Sequence, residues 1–279
     1  MDHAMTLRTT AKRAALPAVM LAAAAASVHV FNLEEPRLPR IDYVTGWVLL
    51  ALTLFLTAYN ARKKIAFMPL VSSRVWLLAH SWVGLFTAVV FGLHLRWRLP
   101  RGPLEATLAA LFVAVTLSGI AGWWLSRVIP KRLGGAGSEV PYDRMPVVLR
   151  RLRERAEALV VEGIPAAGTT TIADFYSAKL SPFFSGPSNF TAHIFGSRRE
   201  LNSLLEEIGE IKKYLSPLET SSAVELAALV RQKDTLDLHR AMQLLLKGWL
   251  FVHIPLTYGM LVFAALHVVV VYAFSGGVR

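Results

Sequence analysis

The sequence predicts an all-α integral membrane protein with about five transmembrane helices, four of them in a bundle, and a small α-rich soluble domain between helices four and five. Of the 279 residues, 54% are hydrophobic, and the mean hydropathy of +0.45 is high for a soluble protein. Several apolar runs approach the roughly 20 residues that a helix needs to cross a bilayer. A long polar stretch, residues 129–245, separates the last of these runs from the others.

Composition and charge exclude several classes of protein. The formal net charge is +11, but the basic residues flank apolar segments and fill the polar stretch, which indicates membrane topology and anionic lipid. No nucleic-acid-binding motif is present, so we expect no nucleic-acid partner. The chain contains no cysteine, which excludes disulfides, cysteine-ligated iron–sulfur clusters and covalently attached c-type haem.

Residues 1–128 contain the first four predicted transmembrane helices, at 14–31, 43–60, 75–95 and 104–128. The first contains an alanine run typical of a signal-peptide cleavage region; we expect an uncleaved helix, with a cleaved signal peptide as the alternative. The fourth is rich in alanine, serine and glycine, small residues that let membrane helices approach closely. Such a stripe also leaves room for a flat cofactor.

The polar stretch predicts one small α-rich domain. Its elements are expected in this order: a helix over 146–161, short strands at 169–172 and 189–195, a helix over 197–215, and helices over 221–232 and from 236 onward. Ser197 followed by Glu200 forms a capping-box pattern, which would start the helix over 197–215. The last helix could be continuous with the fifth transmembrane helix, 246–274. The region 246–279 then consists of this helix and a short outer tail.

Loop charges predict the orientation of the chain in the membrane. The amino-terminal tail, the connector 60–74 and the entry to the polar stretch are strongly basic, and they alternate onto the cytoplasmic side. We therefore expect a bacterial inner-membrane protein with its amino terminus and residues 129–245 in the cytoplasm and its carboxyl terminus outside. Arg96, Arg98 and Arg101 lie on the outer side against this rule, so we expect them to have another role.

A pattern of histidines occurs twice in apolar surroundings. Both copies have a basic residue, a tryptophan and two histidines at the same offsets: Arg74, Trp76, His80 and His94 in the first, and Lys247, Trp249, His253 and His267 in the second. Ionisable groups inside a membrane are costly and usually functional. The repeat therefore marks the most informative part of the chain.

The two copies predict two levels of paired histidines. With five spans, helices three and five run in the same direction, so His80 meets His253 near the cytoplasmic side and His94 meets His267 near the other side. Fourteen residues at 1.5 Å each separate the two levels by about 21 Å. Fourteen is also two heptads, so both histidines of a helix face the same way in a left-handed bundle.

Two facing imidazoles at matched depth can act as the two axial ligands of a haem iron, so we expect two non-covalent haem b groups. The expected ligands and propionate partners are His80, His253, Arg74 and Lys247 for the inner haem, and His94, His267, Arg96 and Arg98 for the outer haem. The alternatives are a histidine-lined metal or proton pathway, and histidines that only hydrogen-bond between helices. We expect no such role for the other histidines, His3, His29, His193 and His239.

These residues resemble the di-haem cytochrome b family. In that family two helices of a four-helix bundle each supply two histidines with thirteen residues between them, as in the cytochrome b of quinol–cytochrome c oxidoreductases and other b-type subunits of respiratory oxidoreductases. The resemblance covers 74–98 and 247–274, and it implies axial ligation by the four histidines. The Pro-Glu-Trp-Tyr signature of the quinol site is absent, and residues 129–245 do not identify a subfamily.

The sequence thus predicts an electron-transfer subunit of a membrane oxidoreductase. Its expected partners are the lipid membrane, the quinone pool and a redox partner protein or complex subunits. Tyr258, Asp237 and Glu219 are weak candidates for a residue that accepts a proton from a quinol. Two other functions stay open: a membrane anchor that uses haem only structurally, and a histidine-dependent transporter of metal ions or protons.

Overall fold

The computed structural model describes residues 2–35, 41–64, 73–134, 140–167 and 171–275, and within these ranges it contains helices and no strand. The long helices are α1 (Asp2–Glu34), α2 (Ile41–Lys64), α3 (Ser73–His94), α4 (Pro103–Gly134), α5 (Met145–Ala167) and α10 (Pro217–Ser275). The shorter ones are α6 (Thr171–Phe175), α7 (Ser181–Ser185), α8 (Phe190–Phe195) and α9 (Arg199–Ile211). Single turns of other helix types occupy Tyr142–Arg144, Tyr176–Leu180 and Lys212–Tyr214.

Five of these helices are long and apolar enough to cross a membrane, which confirms an all-helical, multi-pass membrane protein. The apolar spans are Pro17–Glu34, Ile41–Ala58, Val75–His94, Pro103–Gly134 and, within α10, Glu219–Phe274. Large apolar side chains on their outward faces are exposed, among them Phe251, Val262 and Val269 on α10. In a bilayer such side chains contact lipid, while the helix satisfies its own backbone hydrogen bonds.

The chain divides into two units, the first comprising Met1–Trp124 with Trp249–Arg279 and the second comprising Leu125–Gly248. In the first unit, side-chain contacts join α2, α3, α4 and α10 in a ring. These contacts are Phe55 with Trp76, Phe91 with Phe112, Trp249 with the Ser118 carbonyl, and Trp47 with the Tyr272 hydroxyl. Each of these four helix–helix contacts is made by an aromatic side chain.

Helix α1 packs against α2 and α3. A small buried cluster forms where Phe31 of α1 meets Ile41 of α2 and Leu93 of α3, with Val28 beside them. The cluster holds the carboxyl-terminal end of α1 against the beginning of α2 and the end of α3. It lies next to the polar end of α3, where Arg96 and Trp97 adopt positive φ angles of 50° and 55°.

The second unit has its own hydrophobic core. Leu180, Phe184, Val230 and Ala156 lie at its centre with little or no exposed surface. Helix α9 contributes Leu201, Leu204, Leu205 and Ile208, whose spacing places them on one face of the helix. The predicted α-rich character of 129–245 thus corresponds to a core built from α5, the short helices and the first part of α10.

Two strands expected in this region are wrong. Residues 171–175 and 190–195 are helical, while 169 and 170 lie outside the described residues. Helix α8 is bounded by two residues in the left-handed conformation, Asn189 at φ 59° and Gly196 at φ 75°. Such residues end a regular segment abruptly, so the β-branched and aromatic side chains between them wind into a short helix without a partner strand.

The predicted cap of α9 is also wrong. The helix begins at Arg199, and the Ser197 hydroxyl accepts a 3.4 Å hydrogen bond from the Arg199 amide, not from the amide of Glu200. Ser197 therefore shapes the turn before the helix. A capping box does occur at the start of α10, where the Ser216 amide donates to Glu219 and the Glu219 amide donates to the Ser216 hydroxyl.

The separate helices expected over 221–232 and from 236 onward are one continuous helix with the fifth span. No glycine or proline interrupts α10 between Pro217 and Gly248, and Lys233 and Asp237 pair across one turn. The polar residues near 233 look like a break in the sequence because their charges are compensated only within the folded second unit.

Candidate functional site

The site is built on α3 and α10, the two helices that carry the histidine repeat. His80 lies close enough to His253 for the charge of one ring to act on the other, and His94 stands in the same relation to His267. We call His80 and His253 the inner pair, and His94 and His267 the outer pair. Two contacts in matching order along both helices mean that α3 and α10 run in the same direction.

A cavity of about 650 Å³ lies at the outer pair. Both histidines line it, together with Gly46 of α2 and Phe112 of α4, so all four helices of the ring contribute to its wall. Its volume falls within the range of about 300–1,000 Å³ that is usual for small-molecule and cofactor sites. The wall is largely apolar, with charged side chains at one end.

Arginines provide the positive charge at the polar end of this cavity. Arg96, Arg98 and Arg101 all line it, so the structure brings the outer-level residues expected from the sequence to one place. Asp42 and Glu105 line the same end. Carboxylates beside the arginines mean that the net positive charge available to an anion depends on which arginine is already paired.

Arg96 is already paired. Its Nε and Nη2 donate to the two carboxylate oxygens of Asp42, both at 2.9 Å, and its Nη1 lies 3.3 Å from Glu35. The hydrogen bonds to Asp42, followed by the charges of Asp42 and Glu35, raise the pKa of Arg96. Among the described residues neither Arg98 nor Arg101 has a carboxylate in ion-pair distance, so these two keep their charge available to the cavity.

Helix α3 ends in a way that presents these arginines. The amide of Trp97 donates to the carbonyl of Gly92 and the amide of Arg96 donates to that of Leu93. The indole of Trp97 then folds over Gly92, where an added Cβ would come within 2.6 Å of the ring. Gly92 is therefore required by the close approach of Trp97, which fixes the course of the chain leading to Arg98.

The ring of His94 is held from α2. Its Nδ1 lies 3.2 Å from the Thr45 hydroxyl, and a Cβ added at Gly46 would stand 3.1 Å from its Cε1. His94 also faces the backbone carbonyl of Asp42. One turn at the start of α2 thus supplies both a polar partner and the space for this imidazole.

The ring of His253 is held from α4 in a similar way. Its Nδ1 lies 3.2 Å from the Ser118 hydroxyl, and Gly119 faces its Cε1 at 3.9 Å by the same measure. The indole of Trp249 stacks on His253, with ring centres 5.2 Å apart, and its N–H donates to the Ser118 carbonyl. That indole also lies so close to Gly122 that any Cβ there would overlap it.

The two tryptophans of the repeat differ in their hydrogen bonding. Whereas the Trp249 N–H donates to Ser118 at 2.8 Å, the Trp76 Nε1 is buried and has no hydrogen-bond partner among the described residues. Trp76 instead meets Phe55 edge to face, with ring centres 5.1 Å apart. His80, one turn further along α3, faces the backbone of Leu56 on α2.

The basic residues expected at the inner level fall in different units of the chain. Arg74 lies in the first turn of α3. Lys247 belongs to the second unit, where its Nζ lies 3.5 Å above the ring of Tyr142. A cation over an aromatic face is already stabilised, so Lys247 has an intramolecular partner in this structure.

The weak candidates for proton transfer have other contacts. Glu219 caps α10, and Asp237 forms a 2.5 Å ion pair with Lys233. Tyr258 is about half exposed on α10. None of these three residues lines the outer cavity.

A buried ionic cluster in the second unit could not be identified from the sequence. Lys233 is fully buried, bound to Asp237 and to the Ser188 hydroxyl, and His193 Nε2 lies 3.5 Å from Asp234. Only the spacing of Lys233 and Asp237 carries a sequence signal, because residues four apart on a helix are neighbours. Ser188 and His193 come from the segment around α8 and are joined to the helix by tertiary folding alone.

Ser118 and Gly119 belong to the small-residue stripe expected on the fourth helix, but their contact with a histidine was not predicted, and Thr45 and Gly46 were missed. Thr45 and Gly46 on α2, and Ser118 and Gly119 on α4, form the same two-residue combination at the two histidines. A dipeptide of this kind is too common to stand out alone. The sequence signal for these residues is that a hydroxyl residue followed by glycine occurs once on α2 and once on α4, the two helices of the ring without a paired histidine.

Within the described residues, no group of three or more histidine, cysteine or acidic side chains could hold a metal ion. Axial ligation of a haem needs only two protein ligands, so a pair of histidines would not appear among groups of three or more. Comparisons of the chain with protein-family models, with curated proteins and with solved structures found no match. The functional argument therefore depends on the geometry of the site.

Proposed function

We propose that this protein is a di-haem b-type cytochrome subunit that carries electrons across a membrane between the quinone pool and a redox partner protein. The observation that carries this proposal is the outer cavity, which brings His94, His267, Arg96 and Arg98 together across the ring of four helices. A flat, largely apolar macrocycle with two carboxylates matches a cavity with an apolar wall and arginines at one end.

The inner pair supports the same function. His80 and His253 lie within electrostatic range of one another, at the level fourteen residues before the outer pair. Ser118 and Trp249 hold His253, and the Leu56 backbone faces His80. Each haem, when bound, supplies a one-electron iron couple, while the chain orients the ligands and excludes water from the apolar slot.

The arginines would separate into two roles in this proposal. Arg98, together with Arg101, would hold the propionates of the outer haem, because these guanidinium groups line the cavity and have no carboxylate partner among the described residues. Arg96 would support the same end of the cavity through Asp42 and Glu35. At the inner level, Arg74 and Lys247 stay the proposed partners by their position in the repeat.

The second unit is proposed to be a soluble domain on the cytoplasmic side of a bacterial inner membrane, where it docks the redox partner. Helix α5 exposes Arg150 and Arg151, and neither forms an ion pair with another described residue. The amino terminus would share this side and the carboxyl terminus would lie outside, as the basic loops indicate. Reporter fusions at both termini that gave the reverse orientation would contradict this part.

The spectrum of the purified protein tests the proposed function. Dithionite-reduced minus oxidised spectra should show b-type haem, and alanine at any one of the four paired histidines should remove one haem level. His80→Ala and His253→Ala should remove the same component, and His94→Ala and His267→Ala the other. His29→Ala is the matched control, because His29 is an exposed membrane-helix histidine outside both pairs.

Three outcomes would contradict this proposal in different ways. A spectrum without b-type haem, or unchanged haem in His80→Ala and His267→Ala, would overturn haem ligation by these residues. Haem that neither quinol reduces nor any partner oxidises would support the structural anchor instead. Metal or proton flux that depends on the histidines in a haem-free protein would support the transporter.

A further inference from the structure

The two pairs of histidines share a feature on the neighbouring helices. In the outer pair the Thr45 hydroxyl lies 3.2 Å from Nδ1 of His94, and in the inner pair the Ser118 hydroxyl lies 3.2 Å from Nδ1 of His253. Thr45 belongs to α2 and Ser118 to α4, the two helices of the ring that lack a paired histidine. Each level therefore has one histidine that is held by a hydroxyl, taken from opposite helices.

The single hydrogen of the Thr45 hydroxyl determines which atom donates in its hydrogen bond with His94. Its Oγ1 lies 3.2 Å from the Ile41 carbonyl and 3.1 Å from the Asp42 carbonyl, one turn earlier in α2. A hydroxyl has one hydrogen, and in a helix it is commonly donated to such a carbonyl. The Thr45 oxygen can then only accept, so Nδ1 of His94 is the donor.

The acceptor at Nδ1 of His94 is therefore the Thr45 oxygen. An unprotonated Nδ1 would direct its lone pair at the lone pairs of that oxygen. Nδ1 of His94 therefore carries the proton, and Nε2 presents its lone pair to a metal.

Ser118 occupies the equivalent place at the inner level and makes two contacts. Its hydroxyl meets Nδ1 of His253, and its carbonyl accepts from the indole of Trp249, which stacks on the same imidazole. The imidazole is thus fixed at its edge by the hydroxyl and at its face by the indole. A ring fixed in this way keeps Nε2 in one direction.

We propose that Thr45 and Ser118 are positioning residues that orient His94 and His253 so that Nε2 of each would be directed to a haem iron, and that Thr45 also selects the Nδ1–H tautomer of His94. The proposal rests on the proposed function, because it concerns how the haem ligands are oriented. Partners that bind the second ring nitrogen fix the tautomer and strengthen metal ligation, and losing one typically costs tenfold to a hundredfold in metal affinity or activity, as an order of magnitude. Each hydroxyl acts on one level only.

Four variants of the full-length, haem-loaded protein test this assignment. Thr45→Val removes one hydroxyl at nearly constant side-chain shape, and Ser118→Ala removes the other. Thr45→Ser and Ser118→Thr are the controls, because each keeps a hydroxyl at its position. The readouts are the low-spin ferric signals in electron paramagnetic resonance, the midpoint potential of each haem, and haem retention against apomyoglobin. The haem lost in His94→Ala identifies the outer component in these measurements.

Thr45→Val should shift the signal and the potential of the outer haem and speed its loss about tenfold or more, leaving the inner haem unchanged. Ser118→Ala should affect the inner haem in the same way and leave the outer haem unchanged. Thr45→Ser and Ser118→Thr, which keep the hydroxyl, should keep the original signals and potentials. Two bound haems with unshifted signals in both variants would overturn the proposal while leaving the proposed function intact. Equal effects of Thr45→Val on both haems would also overturn it, because they indicate a general loss of packing.

Discussion

Arg96 and Asp42 tie the end of α3 to the beginning of α2 by two parallel hydrogen bonds, each 2.9 Å long. This two-point contact explains how the charge of an arginine is accommodated at the end of a membrane span. Its charge is offset by Asp42 and, at 3.3 Å, by Glu35. The charges that stay available to the outer cavity are then those of Arg98 and Arg101.

Substitution of Arg96 should therefore differ from substitution of Arg98. Arg96→Gln leaves the Asp42 carboxylate unpaired, so we expect weakened outer-haem retention that Asp42→Asn partly restores in the double variant. Arg98→Gln should weaken retention of the same haem without any rescue by Asp42→Asn. A double-mutant cycle on haem-loss rates measures both couplings. Equal rescue of the two arginine variants would contradict the division of roles.

The glycines beside the two hydroxyls should tolerate alanine unequally. A Cβ at Gly46 would press on His94 Cε1 at 3.1 Å, whereas one at Gly119 would make an ordinary contact of 3.9 Å with His253. We expect Gly46→Ala to change the absorption and potential of the outer haem. Gly119→Ala should alter the inner haem far less. Redox titration of both variants measures the difference, and an equal or reversed order of effects would count against it.

The buried ionic cluster of the second unit should be sensitive to loss of one partner only. Lys233 and Asp237 are both buried, so Lys233→Met leaves Asp237 without a compensating charge and should cost about 3–5 kcal/mol of stability. Replacing both residues, as Lys233→Met with Asp237→Leu, should recover much of this loss, because no unpaired charge stays buried.

Thermal unfolding and protease resistance of the full chain in detergent give the measurement. The haem spectrum serves as a control for the first unit, since neither residue belongs to it. A double variant as unstable as Lys233→Met alone would show that the packing of the side chains, and not their charge, is decisive.

The membrane helices could be predicted because their signals are local. Apolar runs mark the spans. The spacing of His80 to His94, and of His253 to His267, places the two histidines of each helix on one face. The common direction of α3 and α10 follows from the alternation of five spans. These properties need no knowledge of how one helix is rotated against another.

The contacts around the histidines depend on that rotation. Whether Thr45 or a neighbour on α2 reaches His94 is decided by how α2 turns against α3, and nothing near Thr45 in the sequence encodes it. The same holds for Arg96, whose partners Asp42 and Glu35 lie more than fifty residues earlier. In the second unit, the error over 189–195 came from Asn189, whose left-handed backbone is a tertiary outcome.

The unequal bonding of Trp76 and Trp249 means that the chain's internal symmetry does not extend to its energetics. The same change, tryptophan to phenylalanine, should have different effects in the two copies. In Trp249→Phe the Ser118 carbonyl loses a donor, which costs about 0.6 kcal/mol for an average bond between membrane helices. Trp76→Phe removes an N–H that is buried with no acceptor in the described part of the chain, so it should be neutral or stabilising. Unfolding of the two variants in parallel would show how far two segments that are alike in sequence have diverged in what each contributes to the fold.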